Sequence, residues 1–441
     1  MRRIYEPFAY DGAARQACSW DLPTGDWQDL QGDETAEFAI IGGGYTGLSA
    51  ALHLAQAGAQ GVMVLEAESP GWGASGRNGG FCCMGGAKAD DAALARRFGQ
   101  QAAQDFHDAQ REAIDLVAQI LDTHGIDAQT HSDGEVILAH RPGAVKGLKE
   151  EAAHLKARGV GSTFIPHGDL AKHGMAGPQF HGALHVPIGF ALNPGKYAQG
   201  LARAAQNAGA DIRAHTPVRG IRRKNGLYIL TTPKGRVTAK RLILATNGYS
   251  SDDLPGWLRA RYMPVQSNII VTRALSPDEL NAQGWTTDLM AYDSRVLLHY
   301  FRLMPDGRFL FGMRGGVGAA PHDQARMHAR IRKDFHRMFP AWADVETPDF
   351  WSGLACLSRG LTPYAGPIGD WHNAWAGLAY HGNGVAMGTY TGAILAKLAL
   401  GNAPARHPAI MQAPLARFPL GRYRRLLLAA SYRWYGMLDG R

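Results

Sequence analysis

Apolar and polar positions fall into blocks that read as strand, glycine-rich turn and helix. Residues 37–41 carry the apolar run Phe38, Ala39, Ile40, Ile41, as in a buried strand. Gly42-Gly43-Gly44-Tyr45-Thr46-Gly47 follows, and residues 48–56 are rich in Ala and Leu, which predicts a helix stopped near Gly58. A second apolar strand is expected over residues 62–65, with Glu66 at its end. Further along, the pattern predicts helices over 90–124, 146–158, 196–208 and 385–400. It predicts strands over 135–140, 211–215, 241–245, 268–272, 296–301 and 308–311.

The first of these blocks is a G-x-G-x-x-G turn at Gly42, Gly44 and Gly47, with an acid 19 residues after the last glycine. Gly42 permits the sharp exit from the strand. Gly44 removes the side chain that would block a pyrophosphate, and Gly47 allows close packing of helix on strand. The helix amino end offers free N–H groups and a positive dipole end to phosphates, and Glu66 can accept both hydroxyls of an adenosine ribose. A second glycine-rich loop, Gly71-Trp72-Gly73-Ala74-Ser75-Gly76-Arg77-Asn78-Gly79-Gly80, comes almost at once. It suits the wrapping of a larger dinucleotide, with backbone N–H groups and Arg77 facing phosphate or flavin.

Composition narrows the classes. The chain has 441 residues, 46% hydrophobic and 19% charged, which is ordinary for a globular protein. Gly stands at 55 residues, about 12% against roughly 7% on average, and clusters at turns. Of the net charge of +8, most lies in the last 25 residues (six arginines against Asp439), and no nucleic-acid recognition motif accompanies it. Four cysteines without CxxC spacing suggest neither a disulfide framework nor zinc. No stretch reads as a membrane span, and residues 1–7 lack the apolar core of a signal peptide, so a soluble cytoplasmic protein is expected.

The glycine-rich motif with Glu66, the 71–80 loop, Ala245-Thr246-Asn247-Gly248-Tyr249, Tyr300-Phe301-Arg302 with Asp306-Gly307-Arg308, and Gly382-Asn383-Gly384-Val385 extend over most of the chain. In these residues it resembles the D-amino-acid-oxidase-like FAD-dependent amine oxidoreductases, and within them the gamma-glutamylputrescine oxidoreductase type. The resemblance implies an α/β fold with an α+β cap. A Rossmann-type FAD domain of the glutathione-reductase/D-amino-acid-oxidase kind would be covered by an antiparallel-sheet substrate domain. The expected organisation is an arm (1–35), FAD-binding segments (36–87, 195–255, 350–402), cap segments (88–194, 256–349) and a basic helical tail (403–441). Cofactor contacts are expected from Gly42, Gly44, Tyr45, Thr46, Gly47, Glu66, Ala67, Gly73, Ala74, Ser75, Arg77, Asn78 and Gly79. Further contacts are expected from Val218, Ala245, Thr246, Asn247, Gly353, Gly382, Asn383, Gly384 and Val385. The helix after Gly384 would put its amino end at the flavin edge where negative charge gathers on reduction.

The implied activity is oxidation of an amine or amino-acid-like substrate by hydride transfer to flavin, giving an imine that hydrolyses. A gamma-glutamyl polyamine or similar amino-carboxylate is favoured, with oxygen or an electron carrier as acceptor. A flavin monooxygenase and a non-catalytic FAD-binding sensor are the alternatives. The segment 315–318 (Gly-Gly-Val-Gly) is not expected to bind a second nucleotide, since no strand-to-helix step with a distal acid accompanies it. For the substrate, Arg302 beside Tyr300 is either a carboxylate anchor or a structural ion pair; Asp293 either steers a cationic amine or is a loop residue; Asn383 either orients substrate or caps a helix. Cys356 is either a covalent flavin link or a buried thiol, with non-covalent FAD expected. The tail over 420–438 is an amphipathic basic helix expected to pack on its own domain, peripheral membrane contact being the alternative.

Overall fold

The computed structural model describes residues 1–15, 18–20, 22 and 27–439. Parts of the N-terminal arm, and Arg441 of the basic tail, lie outside the described residues.

The strand Glu34–Ile41 pairs in parallel with Val62–Leu65 on one side and Arg236–Leu244 on the other. Asp211–Arg213 and Ala374–Leu378 extend the parallel set, and Tyr364–Pro367 closes one edge antiparallel. Both faces of the central strand are buried: Phe38 and Ile40 face one apolar cluster, Ala39 and Ile41 another. That two-sided burial is why the run is continuously apolar rather than alternating. The register sets Ile41 level with both Leu65 and Leu244. Gly42, Glu66 and Ala245 therefore leave the sheet at one height, along its carboxyl edge, where open α/β sheets bind ligands.

Helices Tyr45–Gln56, Pro194–Asn207 and Ala386–Ala399 cover one face. The first and last meet closely through Gly392, whose added Cβ would lie 2.5 Å from the Thr46 carbonyl oxygen. The helical region expected over 90–124 is two helices, Asp91–Phe98 and Gln100–Thr123, broken at Gly99 with φ +92°. Assigned to the cap from sequence, both bury their apolar stripe (Leu94, Phe106, Ala113, Val117) in the cluster on the helix-covered face of the first sheet.

The second sheet runs in the order Asp349–Leu357, Met263–Ala274, Arg308–Arg314, His299–Leu303, Met290–Asp293, Glu135–Leu138, Gly182–Val186, Thr163–Pro166. It is antiparallel except where Met290–Asp293 meets Glu135–Leu138. Its back face packs an aromatic core (Trp285, Phe301, Phe309, Phe311) against the helix Pro321–Met338. The strand Asp349–Leu357, expected among the FAD-binding segments, belongs to this sheet through a nine-residue register with Met263–Ala274.

The C-terminal helix Arg425–Leu438 is clamped at both ends. Arg424 forms a buried ion pair with Asp252 at 2.7 Å, and Asp439 accepts the backbone N–H groups of Val296 and Leu297 at 3.0 and 2.9 Å. Leu428 is buried while Leu426, Trp434 and Met437 are exposed, so the helix packs with one face and leaves apolar groups on the other. Among the described residues no helix is long and apolar enough to cross a membrane.

Candidate active site

Between the carboxyl edge of the first sheet and the front of the second lies a cavity of about 900 Å³. Its floor begins at the first glycine turn. Gly42 has φ +107°, and an added Cβ would sit 2.8 Å from the Ala245 carbonyl oxygen. Gly47 stands behind the wall rather than on it; its Cβ would fall 1.9 Å from the Gly42 carbonyl oxygen, so only glycine lets the helix sit this close. Glu66 lines the cavity. Its Oε2 accepts the N–H of Gly43 at 2.6 Å and its Oε1 that of Glu68 at 3.0 Å. Burial pushes its carboxyl upward while these backbone N–H groups pull it down. The helix amino end carries no cap from Gly44, and Tyr45 N–H donates instead to Ser75 Oγ at 2.9 Å.

Ser75 belongs to the second glycine loop, which is braced from within. Asn78 Nδ2 donates to the carbonyls of Ala74 and Ser75 at 3.1 and 2.8 Å, and the Trp20 indole N–H of the arm donates to Asn78 O at 2.9 Å. Arg77 lines the cavity from this loop. Its guanidinium donates to the carbonyls of Trp72 and Ser352 and stacks 4.0 Å over the Trp72 ring, tying the loop to the strand Asp349–Leu357.

Most expected cofactor contacts meet around this cavity: Gly73, Ala74 and Gly79 from the loop, Ala67, Val218, Ala245, Thr246, Asn247 and Gly353 from neighbouring strands and turns, and Gly382 to Gly384 from the last segment. Val385 does not reach it and is buried in the helix-side cluster. Gly382 has φ +111°, and an added Cβ would lie 2.6 Å from Arg314 Nη2. Asn383 lines the cavity and uses its amide on the carbonyls of Cys83, at 3.3 Å, and Met84, tying two loops together. The helix Ala386–Ala399 opens behind it without a side-chain cap. His381 is kept neutral by burial, its pKa held down at about 4, with Nδ1 3.0 Å from the Gly86 carbonyl.

Two proposed substrate groups are placed elsewhere. Arg302 shares a sheet face with Tyr300, as strand alternation requires, but the Gly79–Gly80 loop and Trp20 cover it. It donates to the carbonyls of Gly79 at 2.9 Å and Leu192 at 2.8 Å, contacts His131, and is 1% exposed, so it is a structural cation. Asp293 is buried between Arg295 at 2.5 Å and His299 at 2.7 Å. Burial works to raise its pKa, and these two partners hold it down at about 2. Tyr300 does line the cavity, its hydroxyl 2.8 Å from Ser267 Oγ and its ring edge-on to Phe81.

Sequence reasoning passed over Glu135, Tyr292 and Arg314, which also line the cavity. The signal for Glu135 was a charge opening the apolar run Glu-Val-Ile-Leu; for Arg314, a cation ending a strand just before two glycines. The Gly315 to Gly318 segment does connect a strand to a helix, contrary to expectation. That strand is antiparallel, however, and the loop is packed against Gln266 and Asp323, with added Cβ atoms at Gly316 and Gly318 falling 2.1 and 2.2 Å from their side chains.

A parallel sheet with a glycine turn, an uncapped helix end and a buried acid at its carboxyl edge, roofed by a largely antiparallel sheet, defines a two-domain dinucleotide-binding oxidoreductase. The particular family follows: the chain belongs to the DAO family of FAD dependent oxidoreductases, which matches residues 37–398. It is 32% identical over 419 residues to a probable oxidoreductase, OrdL, of Rhizobium meliloti (strain 1021), covering 93% of this chain and 94% of that one. It is 29% identical to the gamma-glutamylputrescine oxidoreductase of Escherichia coli (strain K12), covering 92% and 93%. In fold it is similar to glycine oxidase from Geobacillus kaustophilus, with a TM-score of 0.72, 19% identity and coverage of 87% and 99%.

Proposed function

We propose that the protein oxidises an amine or amino-acid-like substrate at the carbon next to nitrogen, with FAD held non-covalently and a gamma-glutamyl polyamine or similar amino-carboxylate as the favoured substrate. The observation that carries this reading is one continuous cavity whose floor is the nucleotide cradle and whose roof is the Tyr300-bearing face of the second sheet. Bound FAD would supply a two-electron acceptor for the hydride of the carbon next to nitrogen, leaving the C–N bond as a C=N imine that water hydrolyses.

The chain's own residues fit that group. Glu66 has the acceptor oxygens for ribose hydroxyls. Ser75 Oγ, already accepting from Tyr45, keeps its own proton to donate to a phosphate. The glycines at 42, 44 and 382 let the turns that line the cavity approach one another more closely than a Cβ would allow, and the amino end of the helix Ala386–Ala399 gives N–H groups and a positive dipole end at the third contact. The roof residues orient the substrate and exclude water. The name of the Escherichia coli relative supports the amine class.

The test is an anaerobic screen of the FAD-loaded protein against amines and amino acids, followed at the flavin absorbance. Bleaching by an amino-carboxylate amine without added NADPH is expected. No bleaching by any member, or rapid bleaching by NADPH alone, would overturn the reading.

A further inference from the structure

The front of the second sheet carries a row of polar side chains on four neighbouring strands. Tyr292 is registered opposite Tyr300, and Tyr300 opposite Gly312. Arg314 lies two residues beyond Gly312 and so on the same face. Met290, two residues before Tyr292, is registered opposite Glu135. Glu135, Tyr292, Tyr300 and Arg314 thus share one face, and all four line the cavity. Gly312 clears the middle of the row: the Tyr300 ring lies over it, 2.1 Å from where its Cβ would be.

The ends of the row are a carboxyl and a guanidinium. Glu135 is 4% exposed. Tyr292 donates to its Oε1 at 3.4 Å and the Cys83 thiol lies beside the carboxyl, while its Oε2 has no hydrogen-bond partner among the described residues. Leaving a buried carboxylate oxygen unmet is costly unless something else meets it. Arg314 Nη2 donates to the His381 carbonyl at 3.0 Å, and no carboxylate lies within ion-pair distance of the guanidinium among the described residues. Lys88 also lines the cavity on the Arg314 side and is within electrostatic reach of it. Three strand spacings and four residues along the strands separate the two ends, about 20 Å between backbones on the diagonal, shortened by the reach of the side chains.

We infer that Glu135 receives a positively charged nitrogen of the substrate and Arg314 its carboxylate, so that the cavity selects an extended molecule charged at both ends over a compact amino acid such as glycine. This rests on the amine-oxidising reading above, but it concerns recognition and is measured by binding. Neither Tyr300 nor Tyr292 carries charge in this scheme; they line the stretch between the ends.

The experiment titrates the FAD-loaded protein, by calorimetry and by the perturbation of flavin absorbance, with 4-aminobutanoate, 6-aminohexanoate, 8-aminooctanoate, hexylamine, hexanoate and glycine. At least one ω-amino acid is expected to bind ten-fold or more tighter than hexylamine, hexanoate and glycine. E135Q is expected to weaken that ω-amino acid and hexylamine about ten-fold while leaving hexanoate unchanged; R314Q is expected to do the reverse. Should E135Q not accumulate as folded protein, E135D keeps the charge with a shorter reach and is expected to bind the ω-amino acid several-fold more weakly. Equal affinities in wild type and the Glu135 variant, or no saturable binding of any ω-amino acid by wild type, would overturn the inference. Selective binding without bleaching by any amine would sink the catalytic reading and leave this one standing.

Discussion

The backbone N–H of Tyr45 donates to Ser75 Oγ at 2.9 Å, joining the uncapped first helix to the second glycine loop. The two loops are 30 residues apart in sequence, and this bond makes them one surface lining the cavity. An added Cβ on Gly44 would fall 2.8 Å from the same oxygen, which shows how closely the loops approach.

Ser75→Ala removes the acceptor for Tyr45 and the hydroxyl that faces the cavity. FAD affinity is expected to fall about ten-fold, or ~1.4 kcal/mol, in line with the loss of one or two hydrogen bonds. Reconstitution of apoprotein, followed by flavin fluorescence quenching, measures it; an unchanged dissociation constant would remove Ser75 from the cradle.

Arg302 holds two buried carbonyls, those of Gly79 and Leu192. Arg302→Met leaves both unmet and is expected to destabilise the fold by about 3 kcal/mol. The affinity of the folded fraction for ω-amino acids should stay unchanged. Urea unfolding together with ligand titration separates the two effects, and selective loss of carboxylate binding would instead make Arg302 an anchor.

Glu135 ties stability to pH. Burial pushes its carboxyl up to about 7, against a smaller downward pull from hydrogen bonding by Cys83 and Tyr292. The folded state therefore holds this proton more tightly than the unfolded chain, whose carboxyl titrates near 4.3. Stability is fully present below that value, falls as pH rises through about 7, and is lower by up to ~3 kcal/mol above it. Glu135→Gln removes the penalty, so its melting temperature relative to wild type should climb between pH 5 and pH 8. A flat difference across that range would contradict the assignment.

Cys356 lines the cavity, yet burial pushes its thiol up to about 12. A thiol so unwilling to ionise is a poor nucleophile. Acid precipitation of the purified protein should leave yellow flavin in the supernatant, with Cys356→Ser behaving identically. Colour retained in the pellet of wild type alone would establish a covalent link.

The glycine turn, its helix and Glu66 were legible because each is local. Steric demands at Gly42 and Gly47 and the spacing to the acid are written within 30 residues, where periodicity and backbone chemistry suffice. Long-range pairing decided the rest. Arg302 and Arg314 both sit on strands with aromatic neighbours, and nothing local separates them. Only the register of Tyr300 on Gly312, and the packing of Trp20 and the Gly79–Gly80 loop over Arg302, bury one guanidinium and turn the other to the cavity. The place of the strand Asp349–Leu357 in the second sheet is decided in the same way. A strand's own residues state which faces are apolar but not which sheet will supply its hydrogen bonds, because that choice rests on partners far away in the chain.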